Sequence, residues 1–215
     1  MGTDMVKLIY LARRMPDLTR ERFVARWRKH GGLAMSQQLW RHMEAYVQAS
    51  VLQPAPITGA SADYDAVGVL WFKGDSHLKS PTAADTADVA EMAEDEFHTF
   101  SEPVQPRSLV GDEEVVNEGG HGRTTAYLFF KDPGQAQQAA KHVAESATSI
   151  RVTLTKAWPS SAARLPYEAV VSLSGYGVGD IRGALGEPGL AATGADLTVV
   201  ANDAVLWEDI DAVLK

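Results

Sequence analysis

The sequence has no cysteine, few positive charges and no long apolar run. Without cysteine, a disulfide framework, a thiolate zinc site and an iron–sulfur cluster are all excluded. Lys and Arg total 20 against 28 Asp and Glu, a formal charge of −8, which argues against broad binding to nucleic acid or anionic membranes. No run approaches the roughly 18 apolar residues that span a bilayer, and no basic segment followed by an apolar one opens the chain. We therefore expect a cytoplasmic protein.

What is present is a globular composition and a pattern of elements that occurs twice. With 215 residues, 45% of them hydrophobic, the chain can bury a substantial core. Hydrophobic periodicity predicts β-α-β-β-α-β in the first half, with strands near 6–12, 43–51, 64–72 and 104–116 and helices near 19–32 and 82–100. Thr19 is the expected N-cap of the first helix and Gly31-Gly32 its expected stop.

The second half is predicted to have the same order of elements. Strands are expected near 124–130, 150–157, 167–174 and 197–207, with a helix beginning at Asp132-Pro133 and another near 178–185. Tyr10-Leu11 recurs as Tyr127-Leu128, and the string at 64–67 recurs at 167–170 as Tyr-Glu-Ala-Val. These repeats predict a duplication, with domains 1–117 and 123–215 joined by a Gly-rich linker.

The predicted fold class is α+β. Each β-α-β-β-α-β unit is ferredoxin-like, an antiparallel sheet with both helices on one face. Two such sheets can cover each other and close an α+β barrel. The barrel would close either within a monomer or within a homodimer.

Several strings of the first half resemble the EthD family of the dimeric α+β barrel superfamily. They are Lys7-Leu8-Ile9-Tyr10, Trp27-Arg28-Lys29-His30-Gly31, Tyr46-Val47-Gln48, Tyr64-Asp65-Ala66-Val67 and Ala93-Glu94-Asp95-Glu96-Phe97. The family usually has proline after His-Gly, where this chain has Gly32. The resemblance implies a pocket between sheet and helices for a small, often apolar molecule, with one site built around the first half. The wider superfamily includes cyclases, isomerases, cofactor-free monooxygenases and haem-degrading enzymes, so the fold alone does not choose a reaction.

Three residues are the candidate catalytic groups. His30 falls on the apolar stripe of the first helix, and imidazole can act as acid and base near neutrality; the alternative is a histidine that stabilises a helix C-terminus. Asp65 would orient His30 or take a proton, or else only cap the start of a strand. Tyr46 would donate a hydrogen bond to a carbonyl or enolate oxygen, if its strand face lines the barrel.

Further residues are candidates for binding substrate. Trp27 and Trp71 could wall an aromatic pocket, although large aromatics are more often plain core. His42 shares a predicted strand face with Glu44 and Tyr46; the pair His42 and Glu44 could hold a metal, but no third ligand is evident, so no metal is expected. His98, near the end of the second helix, fits a solvated histidine better than a haem ligand.

A glycine-rich string near 175–179 imitates a dinucleotide fingerprint only loosely. Its third glycine comes too early, and the strand before it belongs to a β-β connection, so no nucleotide cofactor is expected.

The combined expectation is an enzyme that works without a cofactor. It would carry out cyclisation, dehydration or isomerisation on a small apolar carbonyl or polyketide-like compound, with His30 as the proton shuttle. The alternatives are a non-catalytic binding protein of aromatic or ether catabolism and a monooxygenase, either cofactor-free or haem-using.

Overall fold

The computed structural model describes residues 5–37, 41, 43–74, 83–120, 122–159, 165–186 and 189–208. The chain forms two consecutive β-α-β-β-α-β units, as the periodicity predicts. The first comprises β1 (Met5–Ala12), α1 (Arg20–Ser36), β2 (Met43–Val51), β3 (Ala66–Lys73), α2 (Ala83–Glu96), a 3₁₀ turn (Gln105–Arg107) and β4 (Ser108–Asn117). The second comprises β5 (Thr124–Phe130), α3 (Pro133–Ser146), β6 (Arg151–Ala157), β7 (Ala169–Gly175), α4 (Val178–Leu185), a 3₁₀ turn (Gly189–Thr193) and β8 (Leu197–Glu208).

The eight strands close one barrel within one chain. Their order is β1-β3-β2-β8-β5-β7-β6-β4, and every neighbouring pair is antiparallel. Each unit contributes a four-stranded sheet, and the two sheets join where β2 pairs with β8 and β4 pairs with β6. Closure pairs both edges of each sheet. The division into domains at 1–117 and 123–215 stays a prediction, since both units build the same lumen.

Three apolar layers hold the molecule together. One lies in the barrel lumen and includes Ile9, Val69, Phe129 and Val199. The other two lie outside the barrel, between each sheet and its own helices. The layer under α3 and α4 is almost wholly aliphatic, whereas the layer under α1 and α2 is rich in aromatic rings.

Helix α1 begins where the sequence predicts but ends later. Thr19 is the N-cap and its side chain accepts a hydrogen bond from the Arg22 backbone N–H. The prediction of a stop at Gly31-Gly32 is wrong, because the helix continues to Ser36. A Cβ on Gly31 would lie 2.5 Å from Leu206 Cδ1 and 2.8 Å from Gln48 Nε2. Gly31 therefore lets α1 approach the sheet closely.

Strand β2 alternates as predicted, but the face that carries Tyr46 does not line the barrel. Val47, Ala49 and Val51 face the lumen, while Tyr46 and Gln48 lie under α1. The register also shifts between Met43 and Ala45, which brings Met43 into the helix-side layer. The apolar face points to the lumen because apolar side chains of the neighbouring strands enclose the lumen on this side.

Candidate functional site

His30 lies in α1 and faces α2. The side chain is buried, at 3% exposure, and its Nδ1 lies 2.7 Å from the Asp95 Oδ2 atom of α2. The ring of Phe100 packs edge-on against the imidazole, with 5.3 Å between ring centroids. Nε2 has no hydrogen-bond partner among the described residues. A carboxylate that fixes one ring nitrogen leaves the other to exchange a proton.

The surroundings of this pair keep the imidazole neutral and the carboxylate ionised. Burial lowers the pKa of His30 below its usual value and outweighs the opposing effect of Asp95. Burial alone would raise the pKa of Asp95, but hydrogen bonds from Arg26 and His30 outweigh it and hold that pKa below the usual value. Arg26 forms an ion pair with the same carboxylate. At neutral pH the imidazole is therefore neutral and can accept a proton, and an ionised carboxylate holds it in place.

Tyr46 belongs to a second buried group, under α1. Its hydroxyl lies 2.7 Å from that of Tyr10, which accepts a hydrogen bond of 2.9 Å from Trp27 Nε1. Gln48 Nε2 donates to the Tyr46 hydroxyl at 3.2 Å and to the Trp27 carbonyl at 2.8 Å, and Arg28 binds Gln48 Oε1. Burial raises the pKa of both tyrosines, so both phenols stay protonated. Only one of the two hydroxyl protons is used in the Tyr–Tyr bond.

Gly68 makes room for this group. A Cβ at that position would overlap the ring and hydroxyl of Tyr10. The side chain of Tyr10 can therefore lie flat on β3 and reach Tyr46 and Trp27.

Asp65 lies elsewhere, at the beginning of β3. It forms an ion pair with Arg14 and accepts a hydrogen bond of 3.0 Å from the Arg14 backbone N–H. The expectation that Asp65 orients His30 is therefore wrong, because the carboxylate beside His30 is that of Asp95. The string Ala93-Glu94-Asp95-Glu96-Phe97 was the sequence signal that could have identified it.

The remaining candidates are dispersed. Trp27 is fully buried and stacks on Phe23, with 5.6 Å between ring centroids. Trp71 faces the lumen, where its Nε1 donates to Glu113 Oε2 at 2.8 Å. His42 lies outside the described residues. The structure thus places Trp27 beside Tyr46 but brings neither Asp65 nor Trp71 to His30.

Sequence analysis missed a set of polar side chains inside the barrel, which we call the polar lumen cluster: Lys7, Trp71, Glu113, Thr125, Tyr127 and Asp203. The Lys7 ammonium lies 2.6 Å from Glu113 Oε1 and 5.0 Å from the centre of the Trp71 ring. Asp203 accepts hydrogen bonds from Thr125 Oγ1 at 2.6 Å and from the Tyr127 hydroxyl at 3.2 Å. A lysine and an aspartate inside predicted apolar strands, at positions that alternation turns inward, were the available signals.

Burial and pairing shift the pKa values of the two carboxylates of the cluster, Glu113 and Asp203, in opposite directions. Burial would raise the pKa of Glu113, but Lys7 outweighs it and holds that pKa below the usual value. Burial raises the pKa of Asp203 to about 6, against the weaker opposing effects of Thr125, Tyr127 and Lys7. Asp203 therefore changes charge within the physiological pH range.

Two cavities between described residues lie away from both His30 and the polar lumen cluster. The larger, about 380 Å³, is an open groove lined by Glu102, Pro103, Pro106, Arg107, Leu165 and Pro166. The second, of only about 10 Å³, lies by Trp158 and Tyr167. The pocket expected between sheet and helices is occupied, in the described part, by aromatic rings of the helix-side layer.

Candidate ligands for a haem or a metal ion are few among the described residues. His98 and His142 are exposed, and the buried His30 has its Nδ1 bound to Asp95, which leaves Nε2 as the ring nitrogen that could bind a metal. The aliphatic layer under α3 and α4 is closely packed. No group of three His, Asp or Glu that could hold a metal occurs in the described ranges. Within the same ranges, no helix has the length and apolar character to cross a membrane.

Comparison with solved structures shows the fold. A provisionally assigned monooxygenase from Fusobacterium nucleatum superposes with a TM-score of 0.54 and 7% identity, over 96% of this chain and 94% of that one. A point variant of the chlorite dismutase from Candidatus Nitrospira defluvii gives 0.55 and 10%, over 95% and 92%. A provisionally assigned chlorite dismutase gives 0.57 and 8%, over 94% and 96%.

This chain shares their fold. The likeness extends over nearly the whole chain and shows the α+β barrel fold. No family model matches the chain, and no curated protein does. Membership of the EthD family therefore stays a prediction.

Proposed function

We propose that this protein is a cofactor-independent acid–base enzyme that acts on a small apolar carbonyl compound, with His30 as the proton shuttle. The observation that carries the proposal is the 2.7 Å contact between His30 Nδ1 and the Asp95 carboxylate, inside an aromatic layer. The likeness to a monooxygenase and to chlorite dismutases supports an enzyme of this fold, without specifying its reaction.

The geometry suggests a role for each group. Asp95 holds the imidazole in the tautomer with the proton on Nδ1, so that Nε2 accepts a proton from carbon or oxygen of the substrate. Asp95 stays ionised and stabilises the imidazolium that forms, and Arg26 fixes the position of the carboxylate. Tyr10 and Tyr46 supply one unused hydroxyl proton that can stabilise a developing enolate oxygen.

Phe100 separates these two groups in the structure. It contacts the ring of His30 on one side and that of Tyr10 on the other, with centroids 5.3 Å and 6.2 Å apart. A substrate that touches both groups must take the place of this ring. We therefore expect an apolar, partly aromatic substrate, since it would replace one aromatic surface with another.

Exchange of α-protons for deuterium tests the proposal directly. A panel of small apolar ketones is incubated in D₂O with the purified protein, and exchange is followed by proton NMR. We expect acceleration by the wild type and a loss of about a hundredfold or more in His30→Ala, as for removal of a general base. His142→Ala, which changes an exposed histidine of α3, is the matched control and should retain the wild-type rate.

The other outcomes separate the alternatives. Ligand-induced changes of chemical shift without any exchange would indicate the non-catalytic binding protein, in which His30→Ala alters affinity only. Oxygen uptake with the same ketones would indicate the cofactor-free monooxygenase. Exchange that His30→Ala leaves unchanged would remove His30 from the mechanism.

A further inference from the structure

One end of the barrel lumen is polar, although the fold does not require it. The rest of the same lumen is apolar and packs without polar groups. Uncompensated polar groups in a core cost stability, so a barrel closed for packing alone would not contain them. The polar lumen cluster also lies on the opposite side of the sheet from His30 and Tyr46 and takes no part in the proton transfer proposed above.

Asp203 is the carboxylate in this cluster that lacks a cation. Lys7 is committed to Glu113, whose two oxygens accept from Lys7 and from Trp71. The hydrogen bonds to Asp203 come from two hydroxyls, Thr125 and Tyr127, and no ion pair to it is formed among the described residues. With Asp203 ionised, the cluster carries one unbalanced negative charge.

Three buried hydroxyls next to the cluster have no hydrogen-bond partner among the described residues. They are Thr153 Oγ1, Thr155 Oγ1 and Ser172 Oγ, on side chains that are 5%, 0% and 5% exposed. All three face the lumen, because Thr155 pairs with Glu113, and Ser172 pairs with both Tyr127 and Thr153 across the strands. Buried hydroxyls are normally satisfied, so a polar group that the protein itself does not supply belongs beside them.

The end of the lumen next to Asp203 is bordered by two exposed apolar side chains. Val205 lies two residues beyond Asp203 on β8, and Val115 lies two residues beyond Glu113 on β4. Both are exposed, at 54% and 39%. This end of the lumen therefore combines an anionic group with an apolar border.

We propose that this end of the barrel binds a small primary alkylammonium ion. The ammonium group would bind the Asp203 carboxylate, and its three N–H donors suit both the carboxylate and a neighbouring hydroxyl such as Ser172. The short alkyl chain would lie between Val115 and Val205. No protein ammonium competes, since Lys7 stays paired with Glu113.

Calorimetric titration with n-butylammonium chloride tests this site. Binding should be about tenfold weaker at pH 5 than at pH 8, because a carboxyl that titrates near pH 6 is ionised in only about a tenth of the molecules at pH 5. Asp203→Asn should abolish binding at pH 8. Asp112→Asn, which removes an exposed carboxylate from β4, is the matched control and should bind as the wild type does.

A second variant keeps the test independent of the carboxylate. Val205→Lys places a competing ammonium at the exposed rim and should also prevent binding. n-Butanol, which has the same chain without the charge, should bind far more weakly and without dependence on pH. Equal binding of butanol, unchanged binding in Asp203→Asn, or no binding of butylammonium to the wild type would each overturn the proposal.

Discussion

Replacing Asp203 with asparagine should change how the stability of the protein depends on pH. In the folded protein the pKa of Asp203 is raised to about 6 by burial, whereas in the unfolded chain it is close to 3.9. Between these values the folded state keeps a proton that the unfolded state has lost. The free energy of unfolding therefore falls as pH rises through this window.

The magnitude follows from the size of the shift. A difference of about two pKa units corresponds to about 3 kcal/mol, fully present below pH 4 and lost above pH 6. Asparagine keeps the shape and can still accept from Thr125, but it carries no charge to bury. Relative to the wild type, Asp203→Asn should therefore gain up to about 3 kcal/mol on going from pH 4 to pH 8.

Urea denaturation at pH 4, 5, 6, 7 and 8 measures this difference. His30, Asp95 and Glu113 have lowered pKa values and contribute in the opposite direction, but they are common to both proteins and cancel in the comparison. A difference between variant and wild type that stays constant across the pH range would refute the reasoning. It would mean that Asp203 is as well solvated in the folded protein as in the unfolded chain.

Three further substitutions test the packing and the charges. Lys7→Met should destabilise the protein by about 3–5 kcal/mol in urea denaturation, because it leaves the buried Glu113 unpaired. Adding Glu113→Gln should restore most of the loss, and no recovery in the double variant would contradict this. Gly68→Ala should lower stability by about 1–3 kcal/mol or more, since the new methyl group overlaps Tyr10, and an unchanged melting temperature would contradict it. Gly32→Ala, with open space around the new methyl, should instead raise stability by about 0.5–1 kcal/mol, and a loss would show that this turn of α1 is not helical in solution.

The element order was predictable because every strand and helix has a clear period. Periods of two and 3.6 residues indicate which residues share a face, and the β-α-β-β-α-β order then limits the topology to a few choices. The closed barrel in the structure confirms that part of the prediction.

Whether a given strand face points to the lumen or to the helices was harder to predict. One repeated string, at 64–67 and 167–170, is structurally equivalent, since Val67 and Val170 both face the lumen. The other is not, because Tyr10 lies under α1 whereas Tyr127 lies in the lumen. A shift of one residue reverses the face of a strand, so residue identity alone could not distinguish the true repeat from the false one.

The candidate site was predicted only in part for a related reason. His30 could be identified from the Trp27-x-x-His30 spacing, which places both on the inner side of α1. Its partner Asp95 lies 65 positions away, and only the packing of α1 against α2 brings the two together. The same holds for Asp203 and Thr125, which meet because β8 closes the barrel beside β5.

Closing the barrel within one chain removes a constraint that a symmetric pair of identical sheets would impose. In a homodimer related by a twofold axis, every lumen residue occurs twice, so a lysine on one sheet must tolerate its own copy on the other. Here Lys7, Trp71 and Glu113 come from one unit and Thr125, Tyr127 and Asp203 from the other. The lumen can therefore be polar at one end with a balanced ion pair and a single unpaired acid, an asymmetric arrangement that two different sheets allow.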